Sequence, residues 1–273
     1  MSSALVKRLK ATQGGIRVGG EDVFTNKQVM CGDELELTLK DVQSKNIEPK
    51  FIPLDIIYED EDIIALNKPR SMPTHPSQNH HDDTLANGVM YYFKNDDFTF
   101  RVITRLDRDT SGIVLVAKNA FAAARLGDDM KDKKIHKEYI AVVNGTPSPS
   151  SGRIVVPIKR VENSTILRCV SPDGKEAITD YELLVTNGSV SLIRLIPHTG
   201  RTHQLRVHMS HIGNPIYGDD MYGASQTGEK TRLHCASLTF AHPVSKKIMK
   251  LNSPLPCDMA EMFEKYENIL RKE

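Results

Sequence analysis

The segment Val102–Gly112 reads VITRLDRDTSG and leads directly into the apolar run Ile113–Ala117. A polar turn that precedes aliphatic and β-branched residues predicts a tight loop that feeds a buried strand. Arg108 lies between Asp107 and Asp109, and an arginine beside an aspartate keeps the carboxylate ionised. An ionised carboxylate on such a turn can serve as a nucleophile, a base or an anchor. A structural ion pair with ordinary turn chemistry would give the same pattern, so this segment alone leaves both interpretations open.

The composition is that of an ordinary globular protein, with 273 residues, a net charge of +1 and 4 cysteines. So balanced a charge does not indicate a dedicated nucleic-acid surface, and any RNA site must be a local basic patch. No stretch approaches the roughly 20 apolar residues of a membrane span, and residues 1–8 lack the apolar core of a secretory signal. The cysteines are scattered, which favours reduced thiols in the cytoplasm. Cys235 lies inside an apolar strand pattern and is expected in the core.

Five blocks of the sequence resemble one known family. Arg105–Gly112 is similar to the signature of the large-subunit-type RNA pseudouridine synthases, the RluA family. The other four blocks follow in that family's order: Asn67–Pro69, Lys137–Tyr139, Gly200–His208, and Leu233–His234 through His242–Pro243. The resemblance runs from about residue 52 to about residue 256, and five ordered blocks are far more specific than one.

Hydrophobic patterning predicts an α+β fold with a mixed, mostly antiparallel central sheet and flanking helices, which is also the pseudouridine synthase fold that the resemblance implies. The predicted strands are Asp55–Tyr58, Ile63–Leu66, Glu138–Val143, Ile154–Ile158, Ala177–Thr186, Val190–Ile196, Leu233–Phe240 and Lys247–Leu251. One helix is predicted to begin after Thr84, which serves as its N-cap. The other predicted helices are Ala120–Met130, Arg201–Ile212 with Gly213 as terminator, and Cys257–Arg271.

Residues 1–46 are predicted to form a small unit with a linker, and residues 47–273 a catalytic domain. A helix from Leu5 and the alternating segments Ile16–Val18 and Leu35–Leu39 resemble the back half of an alpha-L RNA-binding module. The first helix of that module is missing here. A small β appendage without RNA-binding capacity is the alternative.

The resemblance implies that Asp107 is the catalytic aspartate of pseudouridine formation. That reaction breaks the bond between uracil N1 and ribose C1′ and joins C1′ to uracil C5. No electron or group leaves the molecule, so the chemistry requires no cofactor and no metal. A carboxylate that faces positive character at C1′ is the device used in glycoside cleavage. The sequence does not decide between attack on the sugar and assistance of an elimination.

Two partners of Asp107 are expected from the resemblance. Arg201 is expected to direct two donors of its guanidinium at the Asp107 carboxylate, a geometry that lysine cannot reproduce. Tyr139 is expected to stack on the extruded base, and its hydroxyl is a candidate acceptor for the C5 proton. The alternatives are an ordinary surface arginine and a strand tyrosine that lies half in the core.

The remaining expected contacts are to substrate. Arg105 is expected to fill the space that the extruded nucleotide leaves, and Leu233 is expected to face the uracil or, alternatively, to pack in the core. Lys68, His203 and Gln204 complete the substrate-binding set. Thr104 stands where the family commonly has histidine, which is expected to change how RNA is held.

A metal site is not expected, because His198, His203 and His208 are five residues apart and do not share a helical face. The predicted partner is ribosomal or transfer RNA, with no membrane and no DNA, and the predicted state is a monomer in the cytoplasm. Two other functions stay open: a non-catalytic RNA-binding or ribosome-assembly factor on the same scaffold, and a metal-dependent hydrolase that uses the histidine-rich segments.

Overall fold

The computed structural model describes residues 3–38, 46–77, 79–223 and 228–266. The strands are β1 Ile16–Val18, β2 Glu21–Asp22, β3 Leu35–Leu37, β4 Ile56–Glu59, β5 Ile63–Lys68, β6 Arg101–Val102, β7 Ser111–Ala117, β8 His136–Asn144, β9 Ser151–Val155, β10 Ile158–Arg160, β11 Arg168–Val170, β12 Ile178–Thr186, β13 Val190–Pro197, β14 Leu233–Ala241 and β15 Ile248–Asn252. The helices are α1 Ser3–Ala11, α2 Leu85–Tyr92, α3 Ala120–Lys131, α4 Gln204–His211 and α5 Cys257–Ala260, followed by a 3-10 helix, Glu261–Tyr266. Among these helices, none is both long and apolar enough to cross a bilayer.

Ten strands form the central sheet, in the order β4-β5-β7-β14-β8-β13-β12-β9, with β15 also paired to β14 and β6 to β7. Every pair in the described part of this sheet is antiparallel except β14 with β7. The predicted α+β class and the mostly antiparallel sheet are therefore confirmed.

The parallel pair fixes the position of the Asp107 turn. Gly112 lies opposite Cys235, with a positive φ of 108°, and a Cβ atom built on it would lie 2.2 Å from the Cys235 carbonyl oxygen. Only glycine permits this close approach of the two backbones. Because Cys235 is also opposite Tyr139 of β8, the turn before β7 is brought to the middle of the sheet.

The core is built from strands that are buried on both faces. Residues Ile113–Ala117 of β7 and Ile63–Leu66 of β5 are all fully buried, which explains why their sequences are continuous apolar runs rather than alternating ones. Helix α2 begins where predicted, since the Thr84 side chain accepts from the backbone of Asn87 in a capping box. The predicted hairpin at Asn187-Gly188 also joins β12 to β13, with Gly188 at positive φ.

The N-terminal segment packs against the start of α3. Leu9 of α1 is buried against Ala120 and Phe121 at the start of α3. The predicted helix and both predicted strands of this unit are present, although residue 39 lies outside the described residues. The division at residue 46 stays a prediction.

Three predicted elements differ from the structure. Residues 154–158 do not form one strand, because β9 ends at Val155 and β10 starts at Ile158, with Pro157 between them unable to donate to a ladder. The terminal α-helix is only four residues long before it tightens into a 3-10 helix that is kinked at Phe263, whose side chain is buried. Residues 267–271 of that prediction lie outside the described part. The third is the helix predicted from Arg201, which begins at Gln204 because His203 adopts a left-handed conformation.

Candidate active site

Two buried threonines hold the turn that carries Asp107. The Thr74 hydroxyl donates to the Leu106 carbonyl at 2.8 Å, and the Thr104 hydroxyl accepts from the Leu115 amide at 2.9 Å. Thr104 is 1% exposed and lies inside the protein, and the expected effect of this departure from the family's histidine on how RNA is held stays a prediction. The Asp107 side chain itself is half-buried, at the surface end of this braced segment.

Lys68 is fully buried at the end of β5. Its ammonium donates to three backbone carbonyls: Pro69 at 2.9 Å, Met72 at 2.8 Å and Arg108 at 3.1 Å. Burial lowers the pKa of Lys68 to about 7, against the opposing charges of Asp109 and Asp107. Because these three bonds use all three N–H groups, Lys68 ties the loop after β5 to the Asp107 turn, and its contact with substrate stays a prediction.

Tyr139 lies in β8 within the main core cluster and is 7% exposed. Burial raises the pKa of Tyr139 well above its ordinary value, and the neighbouring Cys235 and the Asp107 charge act in the same direction. Its hydroxyl is therefore neutral in this structure. The Asp107 carboxylate and the Tyr139 phenol are close enough to influence each other electrostatically.

The arginine that was predicted to pair with Asp107 does not do so. Arg201 is exposed, and its Nε donates to the Glu176 carbonyl at 2.9 Å. No ion pair joins Arg201 to Asp107 in the described structure. The cause is local, since α4 begins only at Gln204 and leaves Arg201 in the preceding loop.

Arg206 is an arginine of the same block whose charge interacts with that of Asp107. Its side chain is 3% exposed and makes a two-point ion pair with Asp219. Burial acts to lower the pKa of Arg206, but the hydrogen bond and charge of Asp219, together with the charge of Asp107, raise it overall. Sequence reasoning missed this residue, although an arginine between Leu205 and Val207 in a predicted helix was an available signal.

His203 and Gln204 start α4. His203 Nδ1 lies 2.8 Å from the Tyr222 hydroxyl, and burial lowers the pKa of His203 while the Asp107 charge opposes that change. The Gln204 amide is 4% exposed and bonds inward, to the hydroxyls of Thr199 and Thr179 and to backbone atoms. Gln204 therefore holds the loop before the helix, and its contact with substrate stays a prediction.

Arg105 and Leu233 differ in their exposure to solvent. Arg105 is exposed and has no side-chain partner among the residues described, which leaves its guanidinium available to RNA. Leu233 is 2% exposed at the start of β14, in the same core cluster as Tyr139. The Asp107 charge acts on four neighbouring groups, namely Lys68, Tyr139, His203 and Arg206.

One cluster elsewhere has metal-ligating side chains. Ligand atoms of Asp60, Asp62 and His242 lie within 4.8 Å of one another. However, His242 Nδ1 accepts from the amides of Val244 and Ser245, so Nε2 carries the ring proton and donates to Asp60 at 2.9 Å. The cluster is a hydrogen-bonded brace at the β4–β5 turn, and it offers no support for a metal-dependent hydrolase.

Comparison with known proteins decides the family. The family model described as RNA pseudouridylate synthase matches residues 62–211, which span the Asp107 turn, Tyr139 and Arg206. The chain belongs to this family. As an RNA pseudouridylate synthase it is an isomerase that converts uridine to pseudouridine in RNA, and the non-catalytic alternative is not favoured.

Relatives of this synthase share most of its length. It is 36% identical over 268 residues to a Bacillus subtilis (strain 168) protein named uncharacterized RNA pseudouridine synthase YjbO, covering 97% of this chain and 95% of that protein. It is 35% identical over 255 residues to ribosomal large subunit pseudouridine synthase D of Escherichia coli (strain K12), covering 87% and 78%. The structure of human RNA pseudouridylate synthase domain containing 1 matches with a TM-score of 0.66 at 27% identity, covering 83% of this chain and 98% of that one.

Proposed function

We propose that Asp107 is the catalytic carboxylate of this RNA pseudouridine synthase. The observation that supports the assignment is electrostatic. Burial is the main influence on the pKa values of four surrounding groups, and the Asp107 charge then acts on all of them: Lys68, Tyr139, His203 and Arg206. A half-buried carboxylate that influences so many buried groups is typical of a functional site.

The reaction conserves every atom of the uridine. The N1–C1′ bond breaks, a C1′–C5 bond forms, the proton on C5 is lost, and N1 gains a proton. A carboxylate can stabilise positive character at C1′ by covalent attack or by charge alone. Arg206, itself neutralised by Asp219, supplies a fixed dipole behind the carboxylate in this proposal.

Tyr139 is proposed to present its ring to the extruded uracil, where stacking contributes roughly 1–3 kcal/mol per base. A neutral phenol is a poor proton acceptor, so the raised pKa of Tyr139, which results mainly from burial, favours stacking over removal of the C5 proton. Arg105, exposed two residues before Asp107, is proposed to enter the RNA stack when the nucleotide leaves it.

We further propose large-subunit ribosomal RNA as the substrate, with transfer RNA as the second candidate. The relatives named ribosomal large subunit pseudouridine synthase D motivate the first choice. The loops at residues 72–83 and 221–230 are proposed to select the uridine, since Thr74 of the first bonds the Asp107 turn and Tyr222 of the second bonds His203. All four cysteines are free thiols, which fits a reducing cytoplasm. We also propose that the protein acts as a monomer, on RNA and not on DNA.

A direct assay tests these assignments. Purified protein is incubated separately with unmodified ribosomal RNA and transfer RNA, and carbodiimide-resistant uridines are mapped. Asp107→Asn is expected to abolish product while RNA binding persists. Asp109→Asn is the matched control, because Asp109 lies on the same turn and pairs with Arg108 at 3.0 Å. Full activity in Asp107→Asn would remove Asp107 from the mechanism, and product from transfer RNA alone would overturn the ribosomal assignment.

A further inference from the structure

The Tyr222 hydroxyl joins a surface hairpin to the active site. It accepts the backbone N–H of Arg168, at the start of β11, at 3.0 Å. It also lies 2.8 Å from Nδ1 of His203, the residue that precedes α4. The two rings meet edge to face, with centroids 5.6 Å apart.

The hydrogen bonds of the Tyr222 hydroxyl favour one tautomer of the His203 ring. One lone pair of the Tyr222 oxygen is used by Arg168 N–H, so the hydroxyl proton needs an acceptor. His203 Nδ1 is the only acceptor within reach of that hydroxyl in the described residues. When the hydroxyl donates to His203, Nδ1 is unprotonated and the ring proton of neutral His203 lies on Nε2. Nε2 has no partner among the side chains and backbone groups described.

The surroundings hold both rings in place. The Tyr222 amide donates to Asp219 at 3.2 Å and its carbonyl accepts from Ser210 at 2.8 Å, while the Arg206 guanidinium lies over the ring, 5.2 Å from its centre. His203 has φ 57°, a left-handed conformation that is unfavourable for a non-glycine residue. Such strain is retained where the surrounding contacts over-determine it, and it is enriched at functional sites.

We propose that Tyr222 is a positioning residue that holds His203 in its Nε2–H form, so that Nε2–H donates to an oxygen of the extruded nucleotide beside Asp107. The donation from Nε2–H to the nucleotide rests on the proposed function, whereas the tautomer of the His203 ring does not. The charged and titratable groups that face His203 are Asp107, Arg206, Arg168, Asp219 and Tyr222 itself.

Tyr222→Phe tests the proposal because it keeps the ring over Arg206 and removes only the hydroxyl. Tyr217→Phe is the matched control, since Tyr217 lies in the same loop and its hydroxyl makes no bond within the described structure. In wild-type protein, 15N shifts of His203 are expected to show protonated Nε2 and unprotonated Nδ1. Tyr222→Phe is expected to give a mixture of both tautomers and a raised His203 pKa, because a bond that stabilises the neutral ring is lost.

Kinetics supply the second readout. Tyr222→Phe is expected to lower kcat/KM for pseudouridine formation by roughly tenfold, the effect of one hydrogen bond in a transition state, while Tyr217→Phe stays within about twofold of wild type. A protonated Nδ1 in the wild-type protein would overturn the proposal without any variant. Equal kinetics in the two variants would also overturn it. If wild-type protein formed no pseudouridine but showed the predicted 15N shifts, the proposed function would fail and the His203–Tyr222 geometry would stand.

Discussion

Arg206 and Asp219 form a buried, bidentate ion pair, with Arg206 Nε 2.7 Å from Asp219 Oδ2 and Arg206 Nη2 2.6 Å from Asp219 Oδ1. Their side chains are 3% and 0% exposed. Breaking one partner of a buried pair leaves an uncompensated charge and costs about 3–5 kcal/mol, and the charge of Arg206 also acts toward Asp107. The pair therefore links the stability of α4 to the electrostatics of the site.

We expect Arg206→Lys to lower pseudouridine formation at least about tenfold and stability by about 2 kcal/mol, because lysine keeps the charge but loses the forked geometry. Arg201→Lys is the matched control and is expected to remain close to wild type in both respects, since Arg201 is exposed and bonds only a backbone carbonyl. Product yield at saturating RNA and urea unfolding measure the two effects. The opposite ranking of the variants would restore Arg201 as the partner of Asp107.

Periodicity and turn chemistry were sufficient to predict most of the fold. Three elements could be predicted from local sequence alone, and all three are present: the strand after Gly112, the hairpin at Asn187-Gly188 and the helix capped by Thr84. The strands β2, β6 and β11 were missed because runs of two or three residues are too short to show alternation.

The candidate site was harder to predict, because burial and helix phase are set by tertiary contacts. Arg201 and Arg206 are both in one block, and which of them faces Asp107 depends on where α4 begins. That start is fixed by the left-handed His203, which no propensity predicts. Lys68 was assigned to substrate from the family block Asn67–Pro69, and its burial was not predicted because only the folded loops supply its three carbonyl partners.

Gly112→Ala is expected to be strongly destabilising, by about 2–4 kcal/mol, because the new Cβ would overlap the Cys235 backbone and the residue has φ 108°. Activity should fall with it, as the parallel β7–β14 contact positions the Asp107 turn. Gly127→Ala in α3 is the matched control. Nothing lies within 4 Å of a Cβ built there, so alanine should stabilise the helix by about 0.5–1 kcal/mol. Urea midpoints check both changes, and equal effects would contradict the close approach at Gly112.

Lys68→Met is expected to remove the donor to three carbonyls while it keeps a long apolar side chain in the buried site. An unsatisfied buried acceptor costs about 1–3 kcal/mol, so a total loss of about 3 kcal/mol is expected after partial relaxation. Because one of the carbonyls belongs to Arg108, the Asp107 turn should also move, and kcat should fall more than RNA affinity. Lys50→Met, at an exposed lysine paired with Asp82, is the control and should change neither quantity appreciably. Weaker RNA binding with unchanged kcat in Lys68→Met would instead support direct contact with substrate.

Stability at mildly acidic pH should depend on His234. This residue is 1% exposed, its Nδ1 lies 3.0 Å from the Ser111 hydroxyl, and burial lowers its pKa to about 4 from an ordinary 6.5. In the unfolded chain His234 binds a proton below about pH 6.5, whereas in the folded protein it does so only near pH 4. Stability therefore rises with pH across this window. Between about pH 7.5 and about pH 5 the His234 contribution should fall by about 2 kcal/mol.

His234→Gln keeps a polar side chain that can reach Ser111 and cannot be protonated. We expect it to flatten the pH dependence of the free energy of unfolding, although His203 and His208, whose pKa values are also lowered by burial, should leave a residual slope. His198→Gln is the control, because His198 is 41% exposed and pairs with Asp180. Urea unfolding at several pH values measures the slopes. If wild type and His234→Gln lost stability equally on acidification, His234 would not be the group that resists protonation in the folded protein.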